Sequence, residues 1–588
     1  MPVQSVANHV DAVLREAFAA FGLPLSFARC SPPAHPDLAD LQCNGALGAA
    51  KAAGRNPREV ASGIAAMIGA RAGFAAVSVA GPGFLNLRLS NSFLSEAAEA
   101  AVSDPALGVR QEETPERVVI DFGGSNVAKS LHAGHLRSLA IGESLRRILA
   151  AQGHHVVSDV HLGDWGLQMG MLMSAIRRGF PHLPYFSGGG GPFPEGSPVS
   201  LAELERLYPE AAEACKSNPD RLAEARADTA ALQDGDAGLT ALWRSLREMS
   251  LAAQRTDFEA LGAHFDLFLG ESDADGLVGP MVAAMLASGT AVRSDGALVI
   301  EIAEPGDAKP MPPLLLEKAD GAALYATTDL ATIGQRTGVM GAQRIIYVVD
   351  QRQSLHFEQV FRAARKAGID RGAALVHVGF GTVNGKDGKP YRTRQGGVAR
   401  LSELIGEAVA KAEARVDESE RLAAFPSAER QALSRAVGVA AVKFADLSGD
   451  RLSGYVFDVD RLVSFEGRTG PYLQYACVRI RSILGMAGQQ DAAPGAIDPR
   501  HDAERDLLLA CLRFPEAVSA SAAALQPGVL ADYAFGVAQR FSRFYAACPV
   551  LGADEPATRG SRLSLCRLAG RILERSLHLL GIEVPERM

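Results

Sequence analysis

A chain of 588 residues is too long for one hydrophobic core and points to three or four folding units. With 47% apolar and 21% charged residues it is globular, and no apolar run approaches the ~18 residues a membrane span requires. A net charge of −8 excludes a polycation that binds nucleic acid by charge alone, and the seven cysteines lack the C-x-x-C spacing of a zinc ribbon.

In chain order, residues 1–112 read as a small α+β unit. Val6, Val10, Val13, Leu14 and Phe18 repeat at helical spacing. A second helix opens at Pro57 and ends by Gly73, and two strands flank Gly81-Pro82-Gly83. The polar stretch QEETPER leads into a β-α-β unit. Val118–Ile120 begin a buried strand, 133–151 form a helix closed by Gly153, and HVVSDV is a second strand. This alternation implies a parallel sheet whose ligands sit at the carboxyl ends of its strands.

Residues 181–295 interrupt the pattern with a glycine-rich, polar insertion that reads as peripheral. Strand-like runs resume at ALVIEI, RIIYVVD and ALVHVGFG, giving one α/β domain over 113–430. Residues 431–588 read as helical, with a linker at QQDAAPGAIDPRHDAE and one long helix over 562–580. That segment holds 18 Lys and Arg against 17 Asp and Glu, so the acidic excess lies elsewhere. Almost all its cations are arginines, whose planar fork suits phosphate.

The stretch VVIDFGGSNVAKSLHAGHLRS carries the chemistry. His132 and His135, at i and i+3, share the first turn of a helix that follows a strand, where free N–H groups and the dipole favour an anion. Gly134 between them leaves room for a flat purine. Asp121, at a strand end, and Asp329 are carboxylates that could bind a cationic group, with Tyr325 able to close over it. Asp329 reads equally well as the N-cap of the helix that follows.

His-x-Gly-His resembles the signature of class I aminoacyl-tRNA synthetases. The longer frame S-N-x-A-K-x-x-H-x-G-H-x-R-S resembles the arginyl-tRNA synthetase family. So do HLGDWGLQMGML, YATTDLA, YVVDQRQSLHFEQVF, HVGFGTVNGKDGKPYRTRQGG, the stretch 445–476, the closing LLGIEVPERM and, near the start, ADLQCNGALGAAKAAGRNP. The resemblance implies an α/β fold: a doubly wound, Rossmann-like parallel sheet with insertions, a preceding α+β tRNA-binding module and a following all-α anticodon-binding bundle. It implies activation of L-arginine by ATP and transfer to tRNA, with His132, His135 and Lys129 catalytic. ATP would be held by those three with Gly134, Lys389 and Arg394. Arginine would be held by Asp121, Asn126, Tyr325, Asp329 and Gln353. The lysines of the second class I signature are missing in PYRTR, and the resemblance implies that Lys129 substitutes for them.

Tyr472, Tyr475 and Arg479 are candidates for a stacking and phosphate platform on tRNA. Mg2+ is expected to arrive with ATP, held by phosphates and water; zinc is not expected. The chain is expected to be a cytoplasmic monomer without a membrane partner, and to activate arginine only with tRNA bound. Three rivals fail on particular residues. A cysteine-specific synthetase would want zinc ligands at metal spacing. A catalytically dead RNA-binding relative would have lost His132, Gly134, His135 and Lys129. A dinucleotide oxidoreductase needs G-x-G-x-x-G where DFGGSN stands.

Overall fold

The computed structural model describes every residue except 1–4, 34–37, 189–190, 319–324, 393–398 and 491. The chain divides into two compact units. One joins residues 1–111 to 464–588, and the other runs from Glu112 to Val463.

The second unit is built on a four-stranded parallel sheet. Its strand order is Ala374–His377, Arg344–Val348, Arg117–Phe122, His155–Asp159. The first strand in sequence is therefore central, with its successor on one side and the third strand on the other. This is a topological switch point, and it opens a crevice at the carboxyl ends of Arg117–Phe122 and Arg344–Val348. Val118, Val119, Ile120, Phe122, Ile345 and Ile346 are wholly buried, the near-continuous apolar run expected of a sheet covered on both faces. ALVIEI departs from a simple continuation of this sheet. Ala297–Ile300 pairs antiparallel with Val292–Ser294 and Leu314–Glu317 in a separate three-stranded sheet.

The helix Ala133–Ala151 packs on the central strand. Gly142 makes this close approach possible: a Cβ there would lie 2.2 Å from Cγ of Phe122. Arg137, fully buried, is fastened to the helix Ser427–Leu447 through Asp446, 2.8 Å from its Nε, and donates to the Ser453 carbonyl at 2.8 Å. That helix also packs along Leu401–Asp417. The helical C-terminal part was expected to start at 431, but 427–463 belongs to the unit of the parallel sheet because these contacts tie it there.

In the other unit, strands Leu41–Cys43, Phe84–Leu89 and Phe74–Ala80 form an antiparallel sheet in that order. Helices Val6–Ala20 and Pro57–Gly69 accompany it. Ser5 caps the first, and Asn56 with Pro57 opens the second. Residues 464–588 supply the helices Gly470–Gln489, Asp502–Cys511, Phe514–Ala524, Pro527–Ala547 and Pro556–Leu579. The two stretches share a buried ion pair. Arg505 donates to both oxygens of Asp40, at 3.0 and 2.5 Å, to the Leu89 carbonyl at 2.7 Å and to Asn91 at 2.7 Å. Among the described residues no single helix is long and apolar enough to cross a membrane.

Candidate active site

The crevice is framed by one hydroxyl. Ser138, buried on Ala133–Ala151, accepts from the Gly123 N–H at 2.8 Å and donates to the Val348 carbonyl at 2.7 Å, which pins the helix to both strand ends. Gly123 has φ +72°, and a side chain there would meet Leu139 at 2.6 Å; a Cβ on Gly124 would lie 2.8 Å from the carbonyl oxygens of Val160 and His161. The glycine pair of DFGG is thus required by close packing.

His132 is the N-cap of this helix and His135 its third residue, with ring centroids 4.0 Å apart. Nδ1 of His135 accepts the His132 N–H at 2.9 Å, and Nδ1 of His132 accepts the Gly134 N–H at 3.0 Å. Each Nδ1 is therefore an acceptor, so each neutral ring carries its proton on Nε2 as a donor. Burial, with the Lys129 charge beside it, draws His132 below its ordinary value. Burial and His132 push His135 down to about 3. At neutral pH the pair is two uncharged N–H donors. Gly134 serves the pair directly, because a Cβ would come 2.8 Å from Cε1 of His132.

The signature segment is zipped to the residues at the start of the helix Leu401–Asp417. Ala133 N–H donates to the Ala399 carbonyl at 3.0 Å and Leu401 N–H to the Leu131 carbonyl at 2.8 Å. Lys389 is exposed on the small turn between Gly385 and Pro390, where its N–H meets Asp387 at 3.1 Å. Arg394 lies outside the described residues.

On the other side of the crevice, Tyr325, Asp329 and Arg336 occupy one face of the helix Tyr325–Gly338. Asp329 stands in its second turn and so is no N-cap. Its Oδ2 lies 2.6 Å from Nε2 of His356, whose ring lies 5.0 Å from that of Tyr325. Asp329, then burial, then Glu271 and Asp121 push the Tyr325 hydroxyl well above its ordinary value. Burial, with Asp164 and Asp329 against His161, pushes Glu271 up to about 7. Asp121 is already partnered within the chain: Arg336, wholly buried, donates to Asp121 and to Asp159 at 2.7 Å each. Asn126 lies over Gly163, whose backbone pairs with it, and Gln353 is half-buried where the helix Ser354–Ala367 begins.

His356, Glu271 and Arg336 are not among the residues the sequence singles out. The spacing of Arg336 from Asp329 and Tyr325 on one helical face was the available signal. Nothing in the sequence brings Glu271 to this pocket.

In the other unit the platform residues divide. Tyr475 is exposed. Tyr472 points into the bundle, its hydroxyl 3.1 Å from Ser542, and the Arg479 guanidinium rests 4.2 Å over the Tyr545 ring.

A parallel sheet with its switch point at the first strand, and an imidazole pair in the turn that follows, define a class I aminoacyl-tRNA synthetase catalytic domain. Comparison with known proteins extends this. Residues 98–459 match the family model tRNA synthetases class I (R), catalytic domain; residues 4–89 match Arginyl tRNA synthetase N terminal domain; residues 473–588 match DALR anticodon binding domain. The chain is 47% identical to the arginine–tRNA ligase of Maricaulis maris over 99% of its own length and all of the relative's. It is 45% identical to that of Hyphomonas neptunium at the same coverage. The arginyl-tRNA synthetase structure from Thermus thermophilus superposes with a TM-score of 0.80 at 26% identity, covering 99% of this chain and all of that one. The Plasmodium falciparum structure shares the fold with a TM-score of 0.82 at 24% identity and full coverage of both chains. The chain belongs to the arginyl-tRNA synthetase family.

Proposed function

We infer that this site joins L-arginine to tRNA in two steps. An oxygen of the arginine carboxylate attacks the α-phosphorus of ATP, the bond to the bridging oxygen breaks, and pyrophosphate leaves. A ribose hydroxyl of the 3'-terminal adenosine of tRNA then attacks the arginyl carbonyl and AMP departs.

The observation that carries the reading is a buried carboxylate cluster and two neutral imidazoles, both at the carboxyl-end side of the same parallel sheet. His132 and His135 present Nε2–H donors to the phosphates, and their contact strengthens as charge collects on the departing pyrophosphate. Lys129 supplies the ammonium, Lys389 and Arg394 add positive charge for the phosphates, and Gly134 keeps the imidazole fold open. Asp329 and the remaining oxygen of Asp121 face the substrate guanidinium, Tyr325 closes over it, and Asn126 and Gln353 hold its backbone end.

Mg2+ arriving with the nucleotide would be held by phosphates and water and would supply charge neutralisation. The described group of Asp121, Asp159 and His161 does not suit it, because the Arg336 cation already occupies those carboxylates. The residues 1–112 and the C-terminal helices form the tRNA-binding surfaces, with the exposed Tyr475 of the three platform candidates available to stack. The enzyme is a cytoplasmic monomer whose arginine activation requires tRNA.

The test is ATP-dependent charging of tRNA with each amino acid in turn. Arginine alone is expected to be attached; attachment of lysine or cysteine in its place overturns the pocket assignment. Arginine-dependent pyrophosphate exchange without tRNA overturns the tRNA requirement.

A further inference from the structure

The helix Leu201–Ser217 in the insertion reads from sequence as a solvated, peripheral element. It is held at its start by a reciprocal cap. Ser200 N–H donates to Glu203 at 2.7 Å, and Glu203 N–H donates to the Ser200 hydroxyl at 3.3 Å. Leu204 is fully buried, and Leu207 and Tyr208 pack against the same apolar cluster. Glu205 and Tyr208, at i and i+3, therefore share one face.

That face lies on the segment that leads into the histidine pair. Glu205 accepts the Ser130 N–H at 3.0 Å with one oxygen and the Arg400 guanidinium at 2.5 Å with the other. Ser130 precedes the histidines, and Arg400 caps the helix Leu401–Asp417, so one carboxylate clips these two segments together. Next to Ser130, the Lys129 ammonium stands over the Tyr208 ring, 4.2 Å from its centroid. The same ammonium is near enough to both imidazoles for its charge to act on each.

We propose that Tyr208 is a positioning residue: its ring face fixes where the Lys129 ammonium stands beside the histidine pair, while Glu205 holds the backbone that carries it. A lysine has four rotatable bonds and a strongly hydrated head, so an unguided ammonium samples many positions. A ring face attracts the cation through its quadrupole without neutralising it, as a carboxylate partner would. The full charge stays available to the leaving pyrophosphate. This proposal rests on the role given to Lys129 above.

The test replaces Tyr208 by phenylalanine and then by phenylalanines of rising fluorination, which keep the shape and drain the ring face. Pyrophosphate exchange is measured with tRNA present. Phenylalanine is expected to keep most of the wild-type kcat. The fluorinated series is expected to lose about five-fold from first to last, the size of a partly exposed cation–π contact, with the KM for arginine unmoved. Each step is repeated in Lys129→Ala, where the series is expected to be flat. A flat series in the wild-type background, or an equal slope in Lys129→Ala, overturns the proposal. A wild-type rate in Lys129→Ala alone instead removes the phosphate role of that lysine, so the two failures are distinct.

Discussion

At the scale of single residues, the histidine pair acts through fixed tautomers rather than through charge. Losing either Nε2–H donor removes a contact that tightens in the transition state. His132→Ala or His135→Ala is therefore expected to slow adenylate formation about 100-fold, measured by single-turnover kinetics; near-wild-type rates would dismiss the role. Glu271 gives the pH behaviour. Its carboxyl is held up at about 7 by burial and by Asp164 and Asp329, so near that pH about half of it is protonated. A guanidinium in the same pocket favours the ionised form. Arginine binding should release a proton near that pH and weaken as pH falls through it. Calorimetry in two buffers of different ionisation enthalpy counts the proton, and Glu271→Gln should abolish it. The two histidines were legible because a three-residue spacing is local. Glu271 and His356 were not, because their partners come from distant parts of the chain and only the fold supplies the low-dielectric pocket.

At the scale of elements, the signature helix is set by what touches it. Gly142 sits mid-helix, where alanine would gain about 1 kcal/mol in propensity. Its Cβ, however, would lie 2.2 Å from Phe122 in the central strand. Overpacking of a core costs about 1–3 kcal/mol or more, and a contact this short lies at the upper end, so the clash wins. Gly142→Ala should lower stability by about 1–2 kcal/mol, read from the denaturant midpoint; a rise in stability would show that Phe122 can move aside. The strands and the helix 133–151 were legible from periodicity. The pairing of Ala297–Ile300 was not, since an apolar run of that length fits a parallel or an antiparallel neighbour equally. Nor was the docking of Leu201–Ser217, which rests on the few side chains of one face of a helix that composition describes as polar.

At the scale of the whole molecule, sequence order and spatial grouping diverge. Three consecutive domains were the natural reading, yet the first 111 residues and the last stretch form one unit. Arg505 and Asp40 are the clearest tie, both nearly buried. Breaking a buried pair on one side strands a charge and costs about 3–5 kcal/mol, whereas replacing both partners by apolar groups is often close to neutral. Arg505→Met should lower the melting temperature sharply, and Asp40→Leu with Arg505→Met should recover much of the loss. A double variant as unstable as the single would show that the other Arg505 contacts, to Leu89 and Asn91, dominate.

The same pairing imposes a timetable on synthesis. Asp40 and Arg505 are 465 residues apart, so at roughly 5–20 residues added per second the carboxylate emerges some 20–90 s before its guanidinium. The segment Glu112–Val463 is synthesised in full during that interval, so all its internal contacts are available before those of the other unit. The unit of residues 1–111 and 464–588 can be completed only when the last helices are made, so the earliest-made residues are among the last to gain all their partners.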